Sequence, residues 1–146
     1  MLYYRRSYKK TINERGCYLD KDMGPEAKLY QKIKKTFNRI SFVRIENNSL
    51  LGTPDLLGYN SSGAFFTLEL KVTRGKKIRF SPHQISFHVK HPKNSFILVE
   101  ALDQRSSKLS QFFLFKGERI LELEACGLKL DPCATGLEAC GLELGA

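Results

Sequence analysis

Two periods of apolar and polar residues occur along the chain, and they separate predicted helices from predicted strands. The helical period appears in residues 26–40, where apolar side chains recur three or four positions apart at Tyr30, Ile33, Phe37 and Ile40. Pro25 and Glu26 suit the first turn of this helix, because proline fits the first helical position and an acid complements the helix dipole. A second helix is predicted over residues 82–90, since a serine cap and a proline begin it.

Alternating positions or short apolar runs predict five strands, at residues 41–46, 55–59, 64–72, 95–100 and 111–115. The Asn60–Gly63 turn joins the second and third of these strands as an antiparallel hairpin. The third strand is long and strongly apolar, so we expect it in the centre of the sheet. This order of elements predicts an α/β fold with a central mixed β-sheet flanked by helices.

The two ends of the chain differ from this central part. Residues 1–23 are polar, basic and rich in tyrosine, and we interpret them as an N-terminal arm. Residues 24–120 form the predicted domain, and residues 121–146 form an acidic, cysteine-containing C-terminal extension. The extension contains the sequence Glu-Ala-Cys-Gly-Leu twice, fourteen residues apart. A short hairpin, a dimer contact and disorder all remain open for it.

Charge is distributed unevenly along the 146 residues, which carry 24 Lys and Arg against 15 Asp and Glu and a net charge of +9. Residues 71–93 contain seven basic residues and no acid, whereas residues 121–146 contain five acids and one base. The first 120 residues therefore carry +13 and the last 26 carry −4. One basic surface explains this pattern better than separate solvated charges, and it indicates a polyanionic partner.

Several classes of protein are excluded by simple patterns. No apolar run approaches the roughly 18–20 residues needed to cross a bilayer, and no apolar segment follows the basic N-terminus as in a signal peptide. We therefore expect a soluble cytoplasmic protein without a membrane partner. Cys126, Cys133 and Cys140 are seven residues apart, unlike the paired cysteines of zinc sites, and Cys17 is isolated. The simplest interpretation is four free thiols.

The predicted central strand carries two charged residues, Glu69 and Lys71, which lie on the same face because side chains alternate along a strand. The hairpin turn places Asp55 across from them. Burial of such groups is costly unless they are paired or bind something, so a structural ion pair is one interpretation. The other is a divalent cation, which would relieve the repulsion between the two carboxylates. Hard oxygen ligands of this kind suit Mg²⁺.

Other polar residues also have two interpretations each. Glu26 lies on the inward side of its helix, where it either interacts with the helix dipole or reaches the Asp55 site. Gln84 either lies on the surface or faces the same cleft. The histidines lack the i, i+4 spacing of helical zinc pairs and an evident third ligand. We therefore favour DNA-facing or surface positions for His83, His88 and His91.

Together these residues resemble the PD-(D/E)xK nuclease superfamily. The likeness consists of Glu26 and three short sequences, Gly52-Thr53-Pro54-Asp55, Glu69-Leu70-Lys71 and Ser81-Pro82-His83-Gln84. The predicted αβββαβ order resembles the restriction-endonuclease-like core of that superfamily, here with an extra strand and a C-terminal tail. The chain is most similar to small VRR-NUC-type nucleases, which include stand-alone phage and bacterial forms, and Holliday-junction resolvases share the same core. The resemblance covers roughly residues 24–115.

The resemblance implies a role for each of these residues. Asp55 and Glu69 would bind Mg²⁺ or Mn²⁺, with the Leu70 backbone carbonyl and Glu26 as further metal contacts. Lys71 would orient or help to deprotonate the attacking water and would offset charge in the transition state. A helix-borne glutamine, Gln84, would position the metal shell or a phosphate. The DNA backbone would contact basic and histidine side chains, namely Arg74, Lys76, Lys77, Arg79, His83, His88, Lys90 and Lys93.

The expected function is that of a Mg²⁺-dependent DNA endonuclease that hydrolyses phosphodiester bonds. Because the sequence has no obvious sequence-reading module, branched, flap or four-way junction DNA is the expected substrate. A chain of this size has one active site, so cutting both strands would require a homodimer. Two alternatives remain open: a non-catalytic basic nucleic-acid-binding protein and an RNA-processing nuclease.

Overall fold

The structure is a computed structural model that describes residues 11–12, 18–19, 23–45, 49–106 and 109–145. Two antiparallel strands of two residues each, β1 (Thr11–Ile12) and β2 (Tyr18–Leu19), lie within the predicted N-terminal arm. The remainder of residues 1–22, including Cys17, lies outside the described residues, as does Glu46 at the end of the first strand predicted from the sequence.

Six further strands form one sheet in the order β3-β4-β5-β6-β7-β8. They are β3 (Ser41–Arg44), β4 (Leu56–Tyr59), β5 (Phe65–Thr73), β6 (Ser95–Leu102), β7 (Ser110–Lys116) and β8 (Ala134–Thr135). Strands β5 and β6 are parallel, and the other neighbouring pairs of this sheet are antiparallel. Helix α2 (Pro82–Lys90) lies in the crossover connection that a parallel pair requires. The prediction of an α/β fold with a mixed sheet is confirmed.

Helices cover both faces of this sheet. Helix α1 (Pro25–Thr36) begins at the predicted proline, and its apolar stripe is centred on Leu29 and Ile33, which are fully buried. This stripe packs on the face of β5 that presents Leu68 and Leu70. On the opposite face, Ile97 and Val99 of β6 pack against elements that follow β5 and β7. Among the described residues, no helix is both long enough and apolar enough to cross a membrane.

The C-terminal residues are an integral part of the fold. Helix α3 (Ile120–Cys126) buries Leu123 on one face of the sheet, and α4 (Leu137–Glu143) contacts α1 and β7 on the other. Cys140 and Leu144 are fully or almost fully buried in the same core as the α1 stripe. Strand β8 and helix α4 thus complete the sheet and its core.

Candidate active site

The β4–β5 hairpin brings the two predicted metal-binding carboxylates close together, at the start of β4 and the middle of β5. Leu56 pairs with Leu68, so the register places Asp55 opposite Glu69, one residue beyond the last described pair. Asp55 Oδ2 accepts a hydrogen bond from the backbone N–H of Leu70 at 2.8 Å. The expected position of Asp55 across from the charged end of β5 is confirmed.

Glu69 is buried, with an exposed fraction of only 2%. One of its carboxylate oxygens, Oε1, lies 3.4 Å from Lys71 Nζ and also accepts a hydrogen bond from Gln84 Nε2. The other oxygen, Oε2, is buried and has no hydrogen-bond partner among the described residues. A buried carboxylate oxygen without a partner is costly, so this atom is available to a ligand that brings positive charge.

Gln84 belongs to this site and not to the outer surface. The Ser81 hydroxyl caps α2 by accepting from the Gln84 backbone N–H, and the Gln84 side chain accepts in return from the Ser81 N–H at 2.9 Å. This capping box fixes the amide side chain at the start of the helix. The same oxygen accepts from Lys71 Nζ at 3.1 Å, while the amide nitrogen donates to Glu69. Gln84 therefore holds both charged residues of β5.

Lys71 is only 14% exposed and is held from three sides. Its ammonium contacts Glu69 and Gln84, and it lies 5.3 Å from the centre of the Phe80 ring. A cation over an aromatic face is stabilised electrostatically. Phe80 was not predicted from the sequence, although it directly precedes the Ser81 cap of α2. These contacts fix the position of the ammonium next to the carboxylates.

Burial is the main cause that raises the pKa of both carboxylates of this site. Burial, and then the charge of Asp55, raise the pKa of Glu69 to about 8, against the opposing effect of Lys71. Burial also raises the pKa of Asp55, although the Leu70 hydrogen bond and the charges of Lys71 and Arg44 act in the opposite direction. Full ionisation of both carboxylates is therefore unfavourable without a further positive charge, and a divalent cation would supply that charge.

Glu26 approaches the same site from α1. Burial and the charge of Asp55 raise its pKa, whereas Lys71 lowers it, and burial is the largest of these effects. Glu26 and Asp55 line one small cavity together with Arg44 and Tyr30. Glu26 lies in the first turn of α1, where an acid suits the helix dipole, and it also lies beside Asp55, so the structure is compatible with both roles left open. Arg44 was not predicted to belong to the site. It lies there because β3 pairs with β4 so that Arg44 is opposite Leu56, the residue after Asp55.

The donor set fits a hard divalent cation. Among the described residues, no three His, Cys, Asp or Glu side chains form a cluster that would hold a metal by themselves. Mg²⁺ does not require one, because it commonly takes one or two carboxylates and completes its shell with water and substrate oxygens. In an extended strand the N–H and C=O of a residue point to the same side. The Leu70 carbonyl therefore points toward Asp55, as its N–H does.

The loop after β5 supplies the basic residues closest to this site. A groove of about 310 Å³ begins at Glu26 and Lys71 and is lined further along by Arg74, Lys77 and Arg79, which are exposed. Lys76 and His83 are also exposed. Lys90 and Lys93 are exposed at the opposite end of α2, about 9 Å or more along the helix from Gln84. The basic residues predicted to bind DNA thus form two separate groups.

His88 contradicts the expectation of a DNA-facing or surface position. Its exposed fraction is 1%, and its Nδ1 is hydrogen-bonded to Ser95 Oγ at a distance of 2.6 Å. Gly117 closes this cluster, because a Cβ there would lie 2.6 Å from Ser95 Oγ and 2.8 Å from the ring nitrogen. Burial, and then the charge of Lys71, lower the pKa of His88 to about 4. The imidazole is therefore a neutral core residue.

The loop before β4 is packed against the first turn of α2. Gly52 has φ +83°, and a Cβ at this residue would lie 2.4 Å from the backbone carbonyl carbon of His83. Only glycine permits both this backbone conformation and this approach. The contact joins the Gly52–Asp55 sequence to the Ser81–Gln84 sequence, which explains how two distant motifs come to share one site.

No protein-family model matches the chain, and no curated protein matches its sequence.

Proposed function

We propose that this protein is a metal-dependent phosphodiesterase of the PD-(D/E)xK type, with a restriction-endonuclease-like core, that cleaves DNA. One observation carries the proposal most directly: the buried Glu69 has an oxygen without a hydrogen-bond partner in the described part of the chain, and the charge of a second acid, Asp55, acts on the same carboxylate. A purely structural ion pair with Lys71 would not require a second acid there. A cation bound between the two acids gives that oxygen a partner.

In this proposal, Asp55 and Glu69 hold Mg²⁺ or Mn²⁺, with the Leu70 carbonyl and Glu26 as further contacts. When bound, such a cation supplies Lewis acidity and lowers the pKa of a coordinated water. Lys71 orients the attacking water and balances the negative charge that develops on the phosphate. Its contacts with Gln84 and Glu69 fix the ammonium in advance, so little reorganisation accompanies the reaction.

The basic groove provides the sequence-independent part of substrate binding. Arg74, Lys77 and Arg79 would contact phosphates on either side of the scissile bond, and such contacts weaken steeply with salt. Contacts to phosphate position a nucleic acid without reading its sequence. We therefore propose branched or flap DNA as the substrate class, with a homodimer where both strands are cut.

A panel of substrates tests this function. Plasmid, single-stranded, flap and four-way DNA, with matched RNA, are incubated with wild type, Glu69→Ala and Lys116→Ala in Mg²⁺ and in EDTA. Lys116 is an exposed lysine on β7, two strands away from Lys71, so its variant controls for an alanine substitution outside the site. Mg²⁺-dependent product from wild type and Lys116→Ala, but not from Glu69→Ala, supports the proposal. Binding without product in any arm would instead favour a non-catalytic nucleic-acid-binding protein.

A further inference from the structure

A cavity of about 530 Å³ opens beside α1, where the parallel strands β5 and β6 end. Part of its wall is apolar, formed by residues that include Val72 and Leu102, and part is charged, formed by Lys28, Lys32, Arg74 and Glu100. Its volume lies within the range of about 300–1,000 Å³ that is typical of small-molecule sites. The mixed lining suits a ligand that has both a flat apolar part and an anionic part.

The charged wall has an excess of positive charge and one fixed cation. Glu100 is 2% exposed and forms an ion pair with Lys32, whose side chain is 44% exposed. Lys32 Nζ also lies 5.8 Å from the centre of the Phe112 ring. Within the described part of the chain, neither Lys28 nor Arg74 forms an ion pair. The one acid of the wall is thus already engaged, and the cavity favours an anion.

The cavity and the candidate active site share a wall. Side chains alternate along β5, so Lys71 faces the α2 side of the sheet and Val72 faces the α1 side. Residues Val72, Thr73 and Arg74 line both this cavity and the groove that contains Lys71. A DNA strand that is bound with one phosphate at the active site can therefore place a neighbouring nucleotide in the cavity.

We propose that this cavity binds one unpaired nucleotide adjacent to the scissile phosphate. The base packs against the apolar wall, and the phosphate contacts Lys28 and Arg74. A base can enter such a concave site only when it is outside the stacked duplex, and unpaired bases require the least energy for this. The inference rests on the proposed function and deepens it, because it selects flap or single-stranded ends over continuous duplex as the substrate class.

Binding measured without metal tests this inference separately from catalysis. Fluorescence anisotropy in EDTA, at one fixed salt concentration, compares a duplex that carries a short unpaired flap with a fully paired duplex of equal length. Wild type is expected to bind the flap at least about five-fold more tightly, the contribution of one packed base. Lys28→Ala, which removes a cation, and Leu102→Trp, which fills the cavity without changing charge, are each expected to reduce this ratio to about two-fold or less.

The exposed Lys116 again provides the matched control, because Lys116→Ala should leave the flap-to-duplex ratio unchanged. Equal binding of the two DNAs by wild type, or an undiminished flap preference in both cavity variants, would overturn the inference. Cleavage of the same two DNAs in Mg²⁺ is measured in parallel. A cavity-dependent flap preference without cleavage would reject the phosphodiesterase and retain the nucleotide site, whereas cleavage without that preference would do the reverse.

Discussion

The Asp55 carboxylate is held by the backbone of the strand that carries its partner acid, since Leu70 N–H donates to Asp55 Oδ2 at 2.8 Å. Leu70 is also the residue between Glu69 and Lys71. The same short segment of β5 therefore fixes one acid, supplies the other and presents the lysine. A site built on a strand in this way is more precisely positioned than one built on mobile loops.

Asp55→Asn is expected to abolish metal-dependent cleavage while it preserves the fold. The amide oxygen can still accept from the Leu70 N–H, whereas the negative charge proposed to bind the cation is lost. We expect the cleavage rate to fall by roughly 10²-fold or more, measured on flap DNA with Mg²⁺. The thermal unfolding midpoint in EDTA should fall little, and undiminished cleavage would contradict the assignment of Asp55 as a metal ligand.

The raised pKa of Glu69 predicts that the metal-free protein has an unusual dependence of stability on pH. Because its pKa is raised from 4.5 to about 8 in the folded protein, the folded state binds more protons than the unfolded state between these values. The metal-free protein should therefore lose stability as the pH rises from about 4.5 to about 8. Urea unfolding in EDTA measures this slope, which Glu69→Gln should flatten. Addition of Mg²⁺ should restore more stability at pH 8 than at pH 6.

The lowered pKa of His88 predicts a dependence of stability on pH that is opposite in sign to that of Glu69. Its pKa is lowered from 6.5 to about 4, so the unfolded state binds more protons in this range and stability falls as the pH decreases. The loss should reach roughly 3 kcal/mol at pH values below the folded pKa. Unfolding of His88→Leu should lack this component. His83→Ala changes an exposed histidine and should retain it, so equal pH profiles for all three proteins would contradict the assignment.

Gly52 and Gly75 are a matched pair of positions at which to substitute glycine by alanine. Gly52→Ala combines a positive φ with overlap of the His83 backbone, so we expect it to lower the free energy of unfolding by more than about 1 kcal/mol. Gly75→Ala, where a Cβ would have nothing within 4 Å, should change it little. Urea unfolding checks both. A strong loss of cleavage in Gly52→Ala at temperatures where it remains folded would further show that this contact aligns the site.

Two leucines at the end of α4 differ strongly in burial. Leu144 is 2% exposed in the core, whereas Leu142 in the same segment is 72% exposed. Leu144→Ala should lower the free energy of unfolding by about 2–5 kcal/mol, the usual range for a buried leucine, and Leu142→Ala by less than about 0.5 kcal/mol. Equal effects of the two substitutions in chemical denaturation would show that α4 is not part of the cooperative core.

Local signals predicted most of the fold. Pro25 and the Ser81-Pro82 pair marked the starts of α1 and α2, and the Asn60–Gly63 turn marked the β4–β5 hairpin. Each of these depends on residues close together in the sequence. Strand β8 was missed because it has only two residues and pairs with β7, about twenty positions earlier. Such a strand has no periodic pattern of its own.

The part of the candidate site that the β4–β5 hairpin positions could be predicted from the sequence, whereas residues brought in by other elements could not. The spacing of Asp55 and Glu69 follows from one turn, so their proximity could be derived from the sequence. The burial of His88 could not, because it depends on Ser95 across a crossover connection and on the absence of a side chain at Gly117. Arg44 likewise joins the site only through the pairing of β3 with β4.

The position of α4 in the core also affects how the protein is made. Synthesis proceeds from the N-terminus, so a nascent chain that has emerged as far as β7 still exposes the apolar face that Cys140 and Leu144 later cover. The Asn60 amide donates to the Leu144 carbonyl, and the Ser61 hydroxyl donates to that of Gly145, so the β4–β5 turn is also incomplete until these residues leave the ribosome. Folding of this domain is therefore expected to wait until residues 137–145 have emerged, and the exposed apolar face is a natural client for chaperones until then.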